Sequence, residues 1–202
     1  MIDYRYIHKF LLNKTKKYKF LNKIIRNNGI IKLTKPNKQF LLCIFWVIIS
    51  QQISNKASEK IWSKVLKFIK KKGNNLQDLL SDQNNFKKLN QLGVSKKKLE
   101  YICGIVTKMT KEDKNQDYYL NLGSKNFREE FQYFKGIGKW SCNMIEIFYF
   151  NRLDIWPEED LIINQLSQNI QINESREINF TQEFKPYQSV LALHFWKFSD
   201  SN

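Results

Sequence analysis

The chain has 202 residues and 42 % of them are hydrophobic, which indicates a folded protein with a core rather than a disordered segment. Lys and Arg number 34 against 19 acidic residues, a formal net charge of +15. This excess favours a polyanionic partner, either nucleic acid or an anionic membrane surface, although solvated lysines on exposed helix faces would give the same count. The apolar run Phe40–Ser50 is too short to span a bilayer, and residues 1–10 show no cleavable signal, so we expect no membrane segment.

Apolar residues recur at helical spacing along almost the whole chain, with neither a repeat of fixed period nor a convincing pair of strands. The expected loop around Lys35-Pro36-Asn37 separates the first two helical regions, and Ser95 suits the N-cap of a later helix. In chain order, the predicted helical regions are 4–28, 39–72 with a break near 50–54, 76–91, 96–110, 125–134, 139–150, 158–170 and 187–198. The predicted fold class is all-α. Residues 1–202 form one domain of two helical lobes, one at about 35–120 and the other made of 1–34 with 121–202.

The cysteines and histidines do not have the spacing of a metal site. Cys43, Cys103 and Cys142 are far apart in apolar helical stretches, which is typical of buried reduced thiols. A zinc or iron–sulfur site needs ligands that are closer together in sequence. His8 and His194 have no partner at such a spacing, so we expect no metal in the chemistry of this protein.

The segment FKGIGKWSCNM contains two glycines, Gly136 and Gly138, immediately before a predicted helix. Glycine permits a sharp turn and a close approach of the backbone to a ligand. The first N–H groups of a helix lack intrahelical acceptors and lie at the positive end of its dipole, where a phosphate oxygen binds well. Lys135 and Lys139 add positive charge, and Ile137 suits an anchor of the turn. The segment predicts a phosphate-binding hairpin, with an ordinary helix–helix connection as the alternative.

A second segment, DIWPEEDLIINQL, places three acids at the start of a predicted helix. Pro157 suits the first turn of that helix, and Glu158, Glu159 and Asp160 then lie at its positive end. Simple complementation of the helix dipole is one interpretation. However, acids beside a phosphate-binding hairpin on a strongly basic protein would repel a nucleic acid, so a carboxylate there is better explained by positive charge that develops during a reaction.

The two segments together, FKGIGKWSCNMIEIFYFNRLDIWPEEDL, resemble the signature of the helix-hairpin-helix DNA glycosylase superfamily. Three further stretches are similar to its 3-methyladenine DNA glycosylase II branch, and they extend the resemblance over nearly the whole chain in the right order. These stretches are IISQQISNKASEKIW, LGVSKKKLEYI and FKPYQSVLALHFWKF. The resemblance implies a two-lobed helical glycosylase fold with its hairpin at 134–141.

The resemblance also implies roles for individual residues. Asp160 occupies the catalytic position, and Gln52 matches the residue near the gap that an extruded nucleotide leaves in the duplex. The implied base pocket consists of Trp140, Met144 and Trp196. The implied DNA-binding residues are Gln51, Gln52, Ser54, Lys135, Gly136, Ile137, Gly138, Lys139 and Ser141.

Departures from the superfamily pattern limit the chemistry. Bifunctional members have a Schiff-base lysine two residues after the second hairpin glycine, where this chain has Trp140, so we expect no lyase activity. The cysteines that hold the iron–sulfur cluster of the endonuclease III branch are missing as well. We expect no cofactor, except for the monovalent cation that the resemblance implies at the hairpin.

The expected function is therefore a monofunctional DNA glycosylase of base excision repair, which hydrolyses the N-glycosidic bond of alkylated purines (3-methyladenine or 7-methylguanine type) after base flipping. A non-catalytic DNA-binding protein of the same fold is one alternative, and a glycosylase for a neutral oxidised or deaminated base is another. The expected partner is double-stranded DNA with a damaged base, bound by a monomer. The expected location is the cytoplasm and nucleoid of a bacterium or the nucleus of a eukaryote.

Overall fold

The computed structural model describes residues 2–33, 39–73 and 75–201. Within these ranges the chain forms thirteen α-helices and no strand, as the all-α prediction requires. The helices are α1 Tyr4–Lys14, α2 Lys19–Asn28, α3 Phe40–Ser50, α4 Asn55–Lys71, α5 Leu76–Ser81, α6 Gln83–Gln91, α7 Lys96–Lys111, α8 Gln116–Asn121, α9 Ser124–Phe131, α10 Lys139–Phe148, α11 Leu161–Glu174, α12 Phe180–Glu183 and α13 Gln188–Asp200.

The helices divide into two compact units. Unit 1 consists of residues 1–35 and 146–202, and unit 2 of residues 36–145. The second boundary differs from the predicted one near residue 120, because residues 119–134 pack into unit 2. The ring of Phe40 at the start of α3 lies 5.6 Å from that of Tyr119 and 6.0 Å from that of Phe131, measured between centroids.

The core of unit 2 is built around α3. This helix is apolar on every side, and its buried residues include Cys43, Phe45 and Val47. A helix of this composition has to be covered all round, and α3 packs against both α4 and α7. In α4, by contrast, Trp62, Val65 and Ile69 form one buried stripe, and the lysines of this helix lie at exposed positions.

The core of unit 1 lies among α1, α2, α11 and α13. Leu11, Leu21, Ile163, Leu191 and Phe195 are fully buried there. These residues come from both ends of the chain, so the two terminal segments of sequence fold together as one unit. Burial of this apolar surface, at about 25 cal/mol per Å², is the main stabilising contribution.

Most of the predicted helix boundaries agree with the structure. The break near 50–54 lies between Ser50, the last residue of α3, and Asn55, the first of α4, and Ser95 caps α7 as predicted. One prediction is wrong, because the helix expected from residue 158 begins only at Leu161 and Pro157 lies outside it. The loop predicted around Lys35-Pro36-Asn37 lies outside the described residues.

Over the residues that the structure describes, no helix combines the length and the apolar character needed to cross a membrane. Cys43 and Cys142 are buried and Cys103 is partly buried, all three as free thiols. Within the same residues, no group of three or more His, Cys, Asp or Glu side chains is arranged to hold a metal ion.

Two histidines pack together in unit 1. His8 on α1 and His194 on α13 have ring centroids 6.1 Å apart. His194 is fully buried, and among the described residues neither of its ring nitrogens has a hydrogen-bond partner. Burial, with the positive charge of His8 and Lys197 as smaller causes, lowers the pKa of His194 to about 3. The neutral ring is therefore the form that the fold accommodates.

We expect the stability of unit 1 to fall in mild acid. The unfolded chain binds a proton at His194 near pH 6.5, whereas the folded chain does so only near pH 3. The contribution of neutral His194 to the free energy of unfolding is therefore fully present above pH 6.5 and is lost as the pH falls from 6.5 towards 3. The loss between pH 7 and pH 5 is about 2 kcal/mol. Urea unfolding at both pH values checks this expectation, with His194→Leu as the variant that does not titrate. Equal losses of stability in the wild type and the variant would contradict it.

Candidate functional site

The hairpin at 134–141 forms a tight turn that leads into α10. The backbone N–H of Ile137 donates to the carbonyl of Phe134 at 3.0 Å, and that of Cys142 donates to the carbonyl of Gly138 at 3.1 Å. Ile137 is 6 % exposed, as expected for an anchor, whereas Lys135, Gly138 and Lys139 are exposed. The turn thus presents backbone and positive charge at the surface while its apolar residue fixes it to unit 2.

Gly136 and Gly138 serve the turn in different ways. Gly136 has φ of +91°, a conformation that side chains rarely adopt, and a Cβ atom at this position would overlap the ring of Tyr101 on α7. Gly138 has an ordinary φ, and a Cβ atom there would meet nothing within 4 Å. The first glycine is therefore required by the packing of the hairpin on α7, and the second leaves open space at the surface.

Two of the predicted DNA-binding residues are engaged inside unit 2. The side-chain amide Nε2 of Gln51 donates to the carbonyl of Gly136 at 2.7 Å and to Oγ of Ser141 at 2.9 Å. Ser141 is 2 % exposed, so its side chain does not reach the surface at which DNA would bind. The hydroxyl of Ser141 is therefore used inside unit 2, where it accepts a hydrogen bond from Gln51, and the place of Ser141 among the DNA-binding residues stays a prediction.

The turn between α3 and α4 carries Gln52. This residue is exposed and has φ of +56°, a left-handed conformation that is uncommon for a residue other than glycine. Ser54 follows as the N-cap of α4, and its hydroxyl accepts from the N–H of Ala57 at 3.3 Å. Behind the turn, Nζ of Lys98 donates to the carbonyls of Ile49 and Gln51 at 2.9 and 2.8 Å. The ammonium group of Lys98 is partly buried, and this burial lowers its pKa.

Asp160 is the N-cap of α11 in unit 1. Its Oδ1 atom accepts hydrogen bonds from the backbone N–H groups of Ile162 and Ile163, both at 3.1 Å. Glu158 and Glu159 are exposed in the turn before it, whereas Asp160 is 9 % exposed. The start of the helix thus holds the carboxylate of Asp160 in one orientation.

Trp196 lies directly against this acid. Its indole Nε1–H donates to Oδ1 of Asp160 at 3.0 Å, and its ring centroid lies 5.6 Å from that of Phe148 at an interplanar angle of 34°. The indole is partly buried. The structure therefore brings together two of the predicted site residues, and Oδ1 of Asp160 accepts hydrogen bonds from three N–H groups.

The segment before Asp160 is fastened at two places. Oγ of Ser189, at the start of α13, donates to the carbonyl of Arg152 at 2.7 Å and accepts from the N–H of Ile155 at 3.0 Å. The guanidinium group of Arg152 pairs with the fully buried carboxylate of Glu146. Sequence reasoning missed these three supporting residues, because nothing in their local sequence distinguishes them from ordinary polar positions.

The other two predicted pocket residues belong to unit 2 and lie on α10. Trp140 is partly buried, and Met144 is 4 % exposed. The first turn of α10 thus leaves part of an indole exposed, while the side chain of Met144 is part of the core. Their roles in binding a base stay predictions.

Known proteins share this fold. No family model matches the chain. The DNA-3-methyladenine glycosylase of Saccharomyces cerevisiae is 24 % identical over an alignment 224 positions long, gaps included, which covers 89 % of this chain and 75 % of the yeast protein. The alkylbase DNA glycosidase-like protein mag2 of Schizosaccharomyces pombe is 24 % identical over 207 residues, with 96 % of this chain and 93 % of that protein covered.

Among solved structures, the 3-methyladenine DNA glycosylase of Schizosaccharomyces pombe, in complex with abasic DNA, superimposes with a TM-score of 0.74. The match covers 96 % of both chains at 20 % sequence identity. These similarities confirm the predicted fold class and the resemblance to the helix-hairpin-helix DNA glycosylases.

We expect the two hairpin glycines to differ in their tolerance of alanine. Gly136→Ala should destabilise unit 2 by about 1–3 kcal/mol, since the new Cβ both overlaps the Tyr101 ring and strains the backbone. Gly138→Ala, the matched control, should leave stability nearly unchanged because space is open there. Thermal unfolding followed by circular dichroism measures both. Equal effects of the two substitutions would refute the packing argument.

Proposed function

We propose that the protein is a monofunctional DNA glycosylase, which hydrolyses the N-glycosidic bond of alkylated purines in double-stranded DNA. The observation that carries the proposal is the 3.0 Å hydrogen bond between Trp196 and Asp160. It joins the acid that the sequence predicts to be catalytic to an aromatic side chain predicted to bind the base. The names of the two fungal relatives support the same activity, and the neighbour solved with abasic DNA supports DNA binding.

Unit 2 supplies the residues for binding the DNA backbone. Its hairpin offers the N–H groups at the start of α10, with the exposed ammonium groups of Lys135 and Lys139 beside them. Most of the net positive charge of the chain also comes from residues 36–145, the range of unit 2. Contacts of this kind fix the register of a duplex without reading its sequence, which suits an enzyme that has to scan DNA for damage.

Unit 1 supplies the charge for the chemical step. When an N-glycosidic bond breaks, positive charge develops on the sugar, and a fixed carboxylate stabilises this transition state electrostatically. The carboxylate of Asp160 is held by three N–H donors, two from the first turn of α11 and one from Trp196. It therefore needs little reorganisation during the reaction. The same carboxylate orients the water that attacks the anomeric carbon.

The expected substrates follow from the leaving group. A purine alkylated at N3 or N7 is cationic, so it departs without protonation by a general acid. A cationic base is also attracted to an indole face by about 0.5–2 kcal/mol, and Trp196 and Trp140 are both partly exposed. The base must first leave the stack, which costs a few kcal/mol and least at a damaged pair.

We expect no lyase step, because the resemblance places Trp140 where bifunctional members have the Schiff-base lysine, and the expected product is therefore an intact abasic strand. The hairpin cation stays a prediction. The carbonyls of Phe134, Gly136 and Gly138 each accept a hydrogen bond from within the protein, and no step of the reaction depends on a cation there. Action as a monomer and the cellular compartment stay predictions as well.

Asp160→Asn should abolish base release from methylated duplex DNA while leaving duplex affinity unchanged or improved. Asparagine still accepts hydrogen bonds at an N-cap, so α11 keeps its first turn and only the negative charge is lost. We expect the rate of base release to fall at least about 100-fold. The measurement is heat-and-alkali strand cleavage, which reports abasic sites, together with a binding titration on the same duplex.

Glu158→Gln is the matched control for Asp160→Asn, because it removes the same charge from an exposed acid two residues earlier. It should retain nearly full activity. Equal, slow release of bases by the wild type and Asp160→Asn would instead favour a DNA-binding protein without turnover.

The preference for cationic bases is tested separately. In single-turnover reactions, we expect a duplex with 7-methylguanine to lose its base faster than a duplex with hypoxanthine, because only the first leaving group carries a positive charge. Competition of the two duplexes in one reaction removes differences in enzyme activity between preparations. Faster release of hypoxanthine would refute the alkylpurine assignment in favour of a neutral lesion.

A further inference from the structure

We propose that Gln51 and Lys98 are positioning residues, which join the hairpin and the turn carrying Gln52 into one rigid DNA-binding element. The inference rests on the proposed function, since it concerns how such an enzyme engages an interrupted duplex. The resemblance implies that Gln51 is a DNA-binding residue, and in the structure its side-chain amide donates to two acceptors within unit 2.

The side chain of Gln51 is committed to the hairpin. A glutamine amide nitrogen has two N–H donors, and both are used, one by the carbonyl of Gly136 and the other by the hydroxyl of Ser141. The first acceptor belongs to the turn of the hairpin and the second to the first turn of α10. Gln51 thus holds the two backbone segments that contribute to the phosphate-binding site.

The main chain of Gln51 is held from the other side by Lys98. The ammonium group of Lys98 donates to the carbonyls of Ile49 and Gln51, which lie at the C-terminal end of α3. A cation is favourable there, because the last carbonyls of a helix have no intrahelical donors and carry partial negative charge. Gln51 is therefore fixed through both its backbone and its side chain.

One face of α7 supports both parts of this element. Lys98 grips the turn after α3, and Tyr101, three residues later on the same face, lies under Gly136 of the hairpin. Gln52 follows Gln51 in the turn after α3; it is exposed and has φ of +56°. A backbone in this conformation persists only where its surroundings determine it, and here the two bonds of Lys98 and the side chain of Gln51 do so.

The consequence is a fixed spacing between two contacts with DNA. Once the hairpin binds a phosphate, the direction and distance at which Gln52 meets the duplex are already determined. Without Gln51, the hairpin still binds phosphate and Gln52 still has its amide, but the two no longer act together. The contribution of Gln52 to recognition of an interrupted duplex should therefore depend on Gln51.

A double-mutant cycle tests this dependence. The probes are a duplex with one tetrahydrofuran abasic-site analogue and the same duplex without it, and the four proteins are the wild type, Gln51→Ala, Gln52→Ala and the double variant. The quantity measured is the preference for the abasic duplex, expressed as the ratio of the two dissociation constants. We expect Gln52→Ala to reduce this preference about tenfold in the wild type and less than about twofold in the Gln51→Ala protein.

Two results would overturn the proposal. One is an equal loss of preference on Gln52→Ala in both backgrounds, which would make the residues independent. The other is an equal weakening of both duplexes by Gln51→Ala with the preference unchanged, which is the result of a direct phosphate contact. Should Gln51→Ala lose its helical circular dichroism signal, Gln51→Met, which keeps the length of the side chain, takes its place in the cycle.

Lys98→Met provides an independent arm. It removes the ammonium group that holds the turn, and it should lower the preference for the abasic duplex as Gln51→Ala does. Lys96→Met is the matched control, because it removes the same charge from an exposed position on the same helix and should leave the preference unchanged. Equal behaviour of the two lysine variants would count against the positioning role.

The double-mutant cycle tests the positioning role independently of the glycosylase activity, since binding to a tetrahydrofuran duplex requires no base release. A wild type that prefers the abasic duplex but releases no methylated purine refutes the glycosylase assignment, and the cycle still decides the positioning role. A wild type that binds both duplexes equally overturns the positioning role itself.

Discussion

The arrangement of unit 1 around its acid depends on one carboxylate oxygen, Oδ1 of Asp160, with its three N–H partners. Two of these hydrogen bonds start α11, and the third ties the acid to the indole of Trp196 on α13. A side chain with three such partners has one orientation before any ligand arrives. Fixed orientation of this kind is what makes a carboxylate effective against a charge that appears only in a transition state.

The same geometry unites two interpretations of the acidic segment. Asp160 complements the start of a helix, as the dipole interpretation holds, and the bond from Trp196 adds a contact that capping does not require. Support from Ser189 and from the Glu146–Arg152 pair reaches the segment that leads to the cap. Helix capping and the proposed catalysis thus use one side chain, but only the second needs its negative charge.

Local signals in the sequence were sufficient to predict much of the fold. The glycine pair located the hairpin, the polar segment after Ser50 located a helix break, and Ser95 located a cap. Pro157 misled, because proline favours the first turn of a helix and here lies in the turn before it. The helix starts instead where a carboxylate can accept the first N–H groups.

Other features depend on contacts between residues far apart in the chain, which no local pattern contains. The boundary between the units reflects the packing of Tyr119 and Phe131 against Phe40, and it therefore differs from the boundary predicted near residue 120. Lys98 is one of three consecutive lysines, and the sequence alone does not distinguish it from its neighbours. Its role becomes visible only when the carbonyls at the end of α3 lie beside it.

The hydrogen bonds of Lys98 bear on how strongly the affinity for a polyanion should depend on salt concentration. An ammonium group that donates to two carbonyls at the end of α3 serves the protein itself and does not displace an ion from a polyelectrolyte. The slope of the logarithm of affinity against the logarithm of salt concentration counts released counterions, and so reflects only cations that neutralise phosphates. The count of 34 lysine and arginine residues, rather than the formal net charge, is accordingly an upper bound on that stoichiometry, and structural lysines such as Lys98 make up part of the difference.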